Sequence, residues 1–206
     1  MSTSVSYLLF DFETSDLYNK KLPPGHVNQA WPVQVGALYL DSALNILNEI
    51  SEFIAPPHQD AVITKGAFDT HGITIKTCQE KGITYDQMRI ILKPIISGTA
   101  RPIGHNIWFD MQFVGRYVVK LLESAVLENA RKHSICTMRS TMAFCNLPPT
   151  ENMKKFKGLA NKAPKLEELY EILFNKKLVG AHDALTDVKA THICLKELVK
   201  RGIIKL

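Results

Sequence analysis

Five side chains able to hold metal ions and move a proton stand far apart in the chain. Asp11 and Glu13 lie in YLLFDFET, Asp110 closes GHNIWFD, and His182 and Asp187 lie in AHDALTD. Each carboxylate sits at the end of an apolar segment, and a buried carboxylate is costly unless a cation or a base compensates it. Four acids without a cysteine or histidine ligand set describe a hard oxygen site of the kind Mg²⁺ or Mn²⁺ prefers. Two such ions about 3.5 to 4 Å apart can stabilise both the attacking and the leaving oxygen of a phosphodiester displacement. An imidazole with an ordinary pKa of about 6.5 could accept the proton of the attacking water.

Each residue also has a plainer use. A strand that ends at Asp11 would let both acids reach water, Asp110 would suit the first turn of a helix through the helix dipole, and a lone histidine is usually inert. Position within the elements pulls the other way. Side chains two apart in a strand share a face, so Asp11 and Glu13 stand about 6.5 Å apart on the face of Tyr7 and Leu9 and repel unless something positive lies between them. Asp110 falls on the stripe of Phe113, Val114, Tyr117 and Leu121, which should face a sheet. Asp187 edges a stripe of Leu185, Val188, His192, Leu195 and Val199, and His182 falls in the turn leading into it.

The elements that must carry these residues follow from periodicity. Ser6 to Phe12, Pro32 to Asp41 and Ile46 to Ile54 read as strands with short links, which predicts an antiparallel meander, with Leu44 and Asn45 near its second turn. Helices are expected over Asp60 to Thr70, Thr84 to Ile96, Ile107 to about Leu122, Leu166 to Phe174 and Leu185 to Val199. Short strands are expected over Arg101 to Gly104 and Ser134 to Thr137. Three strands followed by strand and helix units predict an α/β fold, a mixed sheet of roughly five strands flanked by helices. Leu147 to Lys165, with three prolines and five lysines, is expected to be a mobile surface loop.

At 206 residues, 46% apolar and 22% charged, one domain over residues 1–206 is the default. A formal charge of +5 fits a polyanionic partner without requiring one. The four cysteines form no CxxC pair, so neither a disulfide framework nor a structural zinc site is expected, and reduced thiols point to a cytoplasmic compartment. The start lacks the features of an export signal and no stretch is long enough to span a membrane, so no membrane partner is expected.

The three acidic segments together resemble the DnaQ-like 3′-to-5′ exonucleases of the ribonuclease H-like superfamily. The His-x4-Asp spacing matches the DEDDh subgroup rather than the one that carries tyrosine four positions before the last acid, where this chain has Asp183. Further segments share the family's texture: Gln34 to Ala37, His71 to Thr74, Gly104 to Asn106, and Pro164 to Leu166 opening a helix. The resemblance covers about residues 5 to 200.

The resemblance implies a two-metal enzyme that releases nucleoside 5′-monophosphates from single-stranded 3′ ends. Asp11 would bridge both ions, Glu13 and Asp187 would help hold the one that activates water, and Asp110 would serve the second. His182 would be the general base. Thr14 and Leu17 occupy positions that hold the terminal nucleotide, and Asn106 would line the groove near Phe109. Lys154, Lys155 and Lys157 are the candidates for gripping a phosphate backbone. Phe12 and Trp108 are expected to fill the core, with base stacking as their alternative. Asp16 departs from the glycine many relatives carry; aspartate tolerates the left-handed conformation, so the turn is expected to survive. DNA is the favoured substrate, with RNA trimming or oligoribonuclease activity as the alternative and a non-catalytic binding module as a remoter one. The resemblance also leaves room for a polymerase or repair partner in trans and for a homodimer.

Overall fold

The computed structural model describes residues 4–22, 26–118, 124–151, 153 and 160–206. Its centre is β1 (Tyr7–Thr14), whose alternation divides the core. Leu8, Phe10 and Phe12 point into one apolar cluster, and Leu9 points into another on the opposite face. On one side β1 pairs antiparallel with β2 (Pro32–Leu40), which pairs with β3 (Ile46–Phe53). On the other it runs parallel to β4 (Arg101–Gly104), which pairs with β5 (Ile135–Cys136). The order β3-β2-β1-β4-β5 is the mixed sheet and meander expected from the sequence.

Helices cover both faces. After β3 come α1 (Lys65–His71), α2 (Ile75–Lys81), α3 (Tyr85–Ile91) and α4 (Lys93–Ile96), and after β4 comes α5 (Ile107–Phe113), which runs on as a π-helical turn over Val114–Val118; α3, α4 and α5 pack with Phe10 through Met88, Ile95 and Met111. After α6 (Ser124–His133), α7 (Thr137–Ser140) and α8 (Met142–Cys145) come α9 (Leu166–Phe174) and the long α10 (Ala184–Lys200). Helices α9 and α10 cover the Leu9 face through Leu169, Val188, Leu195 and Leu198. No helix of the described residues is long and apolar enough to cross a membrane.

Several boundaries differ from the sequence reading. The helix expected from Asp60 starts at Lys65, because Thr64 caps it by accepting the Ala67 N–H. The single helix expected over Thr84 to Ile96 breaks at Leu92: Pro94 has no N–H to donate and restricts the residue before it. The helix expected to reach Leu122 leaves α geometry after Phe113, and residues 119–123 lie outside the described ones. Of Ser134 to Thr137 only Ile135 and Cys136 pair as a strand. Helices α2, α6, α7 and α8 were not anticipated. Of the expected loop from Leu147 to Lys165, the two ends are joined by the Lys162 N–H donating to the Leu147 carbonyl at 2.9 Å.

Candidate active site

The sheet changes direction at β1, antiparallel on one side and parallel on the other, and clefts in open α/β sheets form at such points outside the carboxyl ends of strands. Strand β4 pairs with β1 only as far as Leu9, so Asp11 and Glu13 extend past its end while still paired to Gly36 and Gln34 of β2. The chain then turns through Asn106, whose φ of 66° reverses its direction into α5. His105 secures that turn: its ring meets the Thr137 hydroxyl and the Pro164 carbonyl, each at 3.0 Å. One helical turn on, Asp110 is only 2% exposed, and its Oδ1 accepts the Phe12 N–H at 3.1 Å. This carboxylate replaces the strand partner that β1 lacks beyond the end of β4.

The third segment is seated by β2. A Cβ on Gly36 would lie 2.3 Å from the Ala184 carbonyl oxygen, so only glycine lets the start of α10 lie against the sheet. Gln34 completes the seat, donating to Asp183 Oδ2 at 2.9 Å and accepting the Ala184 N–H at 3.2 Å. Asp183 caps the helix through the Thr186 N–H at 2.9 Å. Four residues later Asp187 stands beside Glu13, and its Oδ2 accepts the His182 N–H at 3.0 Å. His182 is exposed and holds a left-handed φ of 71°.

Folding therefore gathers all five predicted residues. Ligand atoms of Glu13, His182 and Asp187 lie within 4.8 Å of one another. Asp11 is close enough to Asp110, Glu13 and Asp187 for their charges to act on it, and burial first, then those three neighbours, push its carboxyl well above the usual range. Burial likewise lifts Asp110 well above it, against the opposing Phe12 N–H. Glu13 is raised to about 7 by burial, then by Asp187 and Asp183. Asp187 is raised to about 6, again chiefly by burial, with the His182 N–H and ring opposing.

Among the described residues no lysine or arginine pairs with any of these acids. Asp187 Oδ1 is buried with no hydrogen-bond partner. An acceptor abandoned inside an acidic cluster is expensive, and a divalent cation on oxygen ligands is the group that would relieve it. The donor set fits Mg²⁺ or Mn²⁺.

The nucleotide-contact candidates are placed less uniformly. Thr14 and Leu17 line a 390 Å³ cleft with Glu13, Thr70, His71 and Phe109, and Leu17 is 77% exposed within it. The Thr14 hydroxyl donates to the Asp16 carbonyl at 2.9 Å. Asp16 does not use the left-handed conformation anticipated for it; its Oδ1 accepts the Leu17 N–H at 2.7 Å and sets the turn. Asn106 lines an adjoining cleft, whereas Lys154, Lys155 and Lys157 lie outside the described residues. Phe12 is core as expected, but Trp108 is not: it is 38% exposed because α5 turns Ile107 and Met111 inward instead.

Two neighbours of the site had been given no role. His71 Nε2 donates to the Thr14 carbonyl at 3.2 Å, and burial, chiefly, lowers its pKa, keeping the ring neutral. Glu167, in the first turn of α9, stands 3.6 Å from His182 Nε2. The His71-Gly72 and Pro164-Lys165-Leu166 segments were the only sequence signals for these positions.

A mixed sheet whose parallel and antiparallel halves meet at a buried acid cluster, with His182 on its rim, is an arrangement able to hold divalent cations. The RNase_T exonuclease family model matches residues 8–195, and the chain belongs to that family. Among solved structures it is similar to Escherichia coli exonuclease I with a dT13 oligonucleotide, at 22% identity and a TM-score of 0.67, covering 94% of this chain and 40% of that one. The zinc-bound form of the E. coli ExoI–ssDNA complex matches at 22% identity and a TM-score of 0.69, covering 95% and 40%. An ExoI/SSB-Ct complex matches at 19% identity and 0.67, covering 96% and 42%. The chain thus spans about two fifths of the length of these relatives, and the likeness establishes a shared fold. No sequence among curated proteins matches it.

Proposed function

We propose that the protein is a metal-dependent 3′-to-5′ exonuclease, one domain over residues 1–206, that removes nucleoside 5′-monophosphates from single-stranded 3′ ends, DNA preferred, in the cytoplasm. The observation that carries this reading is the buried, unpartnered Asp187 Oδ1 beside Glu13 and His182, in a cluster with which no lysine or arginine of the described residues pairs. Asp11, Glu13, Asp110 and Asp187 would hold two divalent cations, Mg²⁺ or Mn²⁺. Bound there, these supply charge neutralisation at the attacking and leaving oxygens of the phosphodiester.

The chain's own groups do the rest. Thr14 and Leu17 seat the terminal nucleotide in the cleft that begins at Glu13. His182, exposed on its turn, takes the proton from the attacking water, and its backbone N–H holds Asp187 in place. Single strands are favoured because the terminal nucleotide must enter a cleft that a paired end would have to unstack to reach.

The test is a time course on matched, 5′-end-labelled DNA and RNA with Mg²⁺, Mn²⁺ or a chelator. Stepwise shortening from the 3′ end, with mononucleotide products and no reaction in chelator, is expected, faster on DNA. Preferred RNA shortening would make it an RNA-trimming enzyme, and binding without product at any metal concentration would make it a binding module. His182→Ala should lower turnover on the order of 10²- to 10⁴-fold while Mn²⁺ binding by calorimetry persists; unchanged turnover would place the base elsewhere.

A further inference from the structure

The acidic cleft does not end at Leu17 and Phe109. Those two residues are shared with a second, larger cleft of 640 Å³ whose lining includes Lys20, Asn106, Trp108 and Arg139. The character of the surface reverses across this boundary. Trp108, from α5, exposes part of its indole, and the Arg139 guanidinium from α7 lies over that ring at 5.2 Å from its centroid.

The cations here differ in how far they are committed. Arg131, on the same cleft, is occupied: it donates to Glu128 Oε1 at 2.6 Å and to the Met111 carbonyl at 2.9 Å. The side chains of Arg139 and Lys20 form no hydrogen bond or ion pair with the described residues, Arg139 resting on the Trp108 ring, and both residues are exposed. An aromatic face beside cations that no acid neutralises is the combination that takes up single-stranded nucleic acid, bases stacking on the ring and phosphates meeting the charges. Such a shelf also answers a problem set by the acid cluster. A polyanion reaching Asp11 and Glu13 is repelled at its destination and needs attraction on the approach.

We propose that Trp108, Arg139 and Lys20 form a shelf for the nucleotides on the 5′ side of the one being removed, with a base against Trp108 and backbone phosphates on Arg139 and Lys20. The proposal rests on the exonuclease reading for its polarity and names how that site holds its polymer. A substrate one nucleotide long occupies the acidic cleft alone, whereas an oligonucleotide occupies both.

The experiment compares the p-nitrophenyl ester of thymidine 5′-monophosphate with a 5′-labelled oligothymidylate, in wild type, Trp108→Leu, Trp108→Phe, Arg139→Ala and Lys20→Ala. Oligothymidylate KM should rise about tenfold in Trp108→Leu and Arg139→Ala, less in Lys20→Ala, and recover in Trp108→Phe. The ester's kcat and KM should stay within about twofold of wild type, since these surface positions leave the acidic cleft untouched. Unchanged oligothymidylate KM in all variants, as a shelf built for a peptide would give, overturns the proposal. So does an equal loss on both substrates. Fluorescence anisotropy of oligothymidylate with Ca²⁺ separates the two readings. If wild type hydrolyses neither substrate yet its binding weakens in Trp108→Leu and Arg139→Ala, the exonuclease reading fails and the shelf stands; if its binding does not weaken, the shelf fails too.

Discussion

Asp183 and Asp187 stand one turn apart at the start of the same helix and meet opposite treatment. At the corner where α10 meets β2, burial pushes Asp183 upward, but Gln34 and the Thr186 N–H and hydroxyl more than offset it and hold its carboxyl below the usual range. In the cluster at the ends of β1 and α5, Asp187 is raised to about 6, with one oxygen bonded only to a backbone N–H and the other to nothing. The first acid is complete within the protein; the second needs a further positive group. Satisfaction of hydrogen bonds, more than burial, separates an acid that holds the fold from one left open to a further partner.

The comparison is broken or sharpened by four substitutions and titrations. The largest effect is expected at Asp187. Asp187→Asn keeps the shape, removes the proposed cation ligand, and should cut metal-dependent mononucleotide release on the order of 10³-fold. Its metal-free thermal midpoint should hold or rise, because a charge that repels Glu13 and Asp11 is gone; a fall of several degrees in the midpoint would make Asp187 structural.

Gly36→Ala should follow, lowering stability by about 3 kcal/mol in urea unfolding, since the new methyl meets backbone at the start of α10 that cannot yield cheaply. A neutral result would mean that the helix can shift. Asp183→Ala should cost about 1 kcal/mol for the lost cap, with metal affinity by calorimetry nearly unchanged; a large loss of metal affinity would erase the distinction between the two aspartates.

The smallest effect is a pH trend. Glu13 at about 7 and Asp187 at about 6 bind protons in the folded protein over a range where the unfolded chain has released them. The metal-free protein should therefore lose stability as pH rises from about 4 to about 7, and the raised Asp11 and Asp110 act in the same direction. Saturating Mn²⁺ should abolish that decline, because cations take the place of the protons. Urea unfolding at both ends of the window, with chelator and with Mn²⁺, reads it; a metal-free protein that gains stability over this window would contradict the cluster.

Much of this was legible along the chain because the signals were local. The boundaries of β4 and α9 follow from short apolar runs between turn residues, and β1 to β3 from successive runs with short links. The break before Pro94 was equally local and was overlooked in favour of the apolar spacing around it. Helix α6 was overlooked although its apolar residues repeat about as regularly as those of α9, and the π turn falls in a stretch whose apolar stripe reads as ordinary α-helix, so that packing decides its geometry. Trp108 was misassigned because hydrophobicity says nothing of which side of a short helix faces the core.

Residue type and order alone were enough to single out the acids and the histidine as candidates, because three motifs in a fixed order are more specific than any one carboxylate that ends an apolar segment. What type and order could not supply is distance. That β4 stops short of Asp11, that Asp110 bonds the Phe12 N–H left behind, that Gly36 admits the start of α10, and that Glu167 and Arg139 arrive beside His182 and Trp108 are consequences of chain segments meeting from far apart. Burial and mutual repulsion among charges exist only once those segments have met, so the shifted acidities and the unpartnered oxygen of Asp187 belong to the folded molecule and to no segment of it.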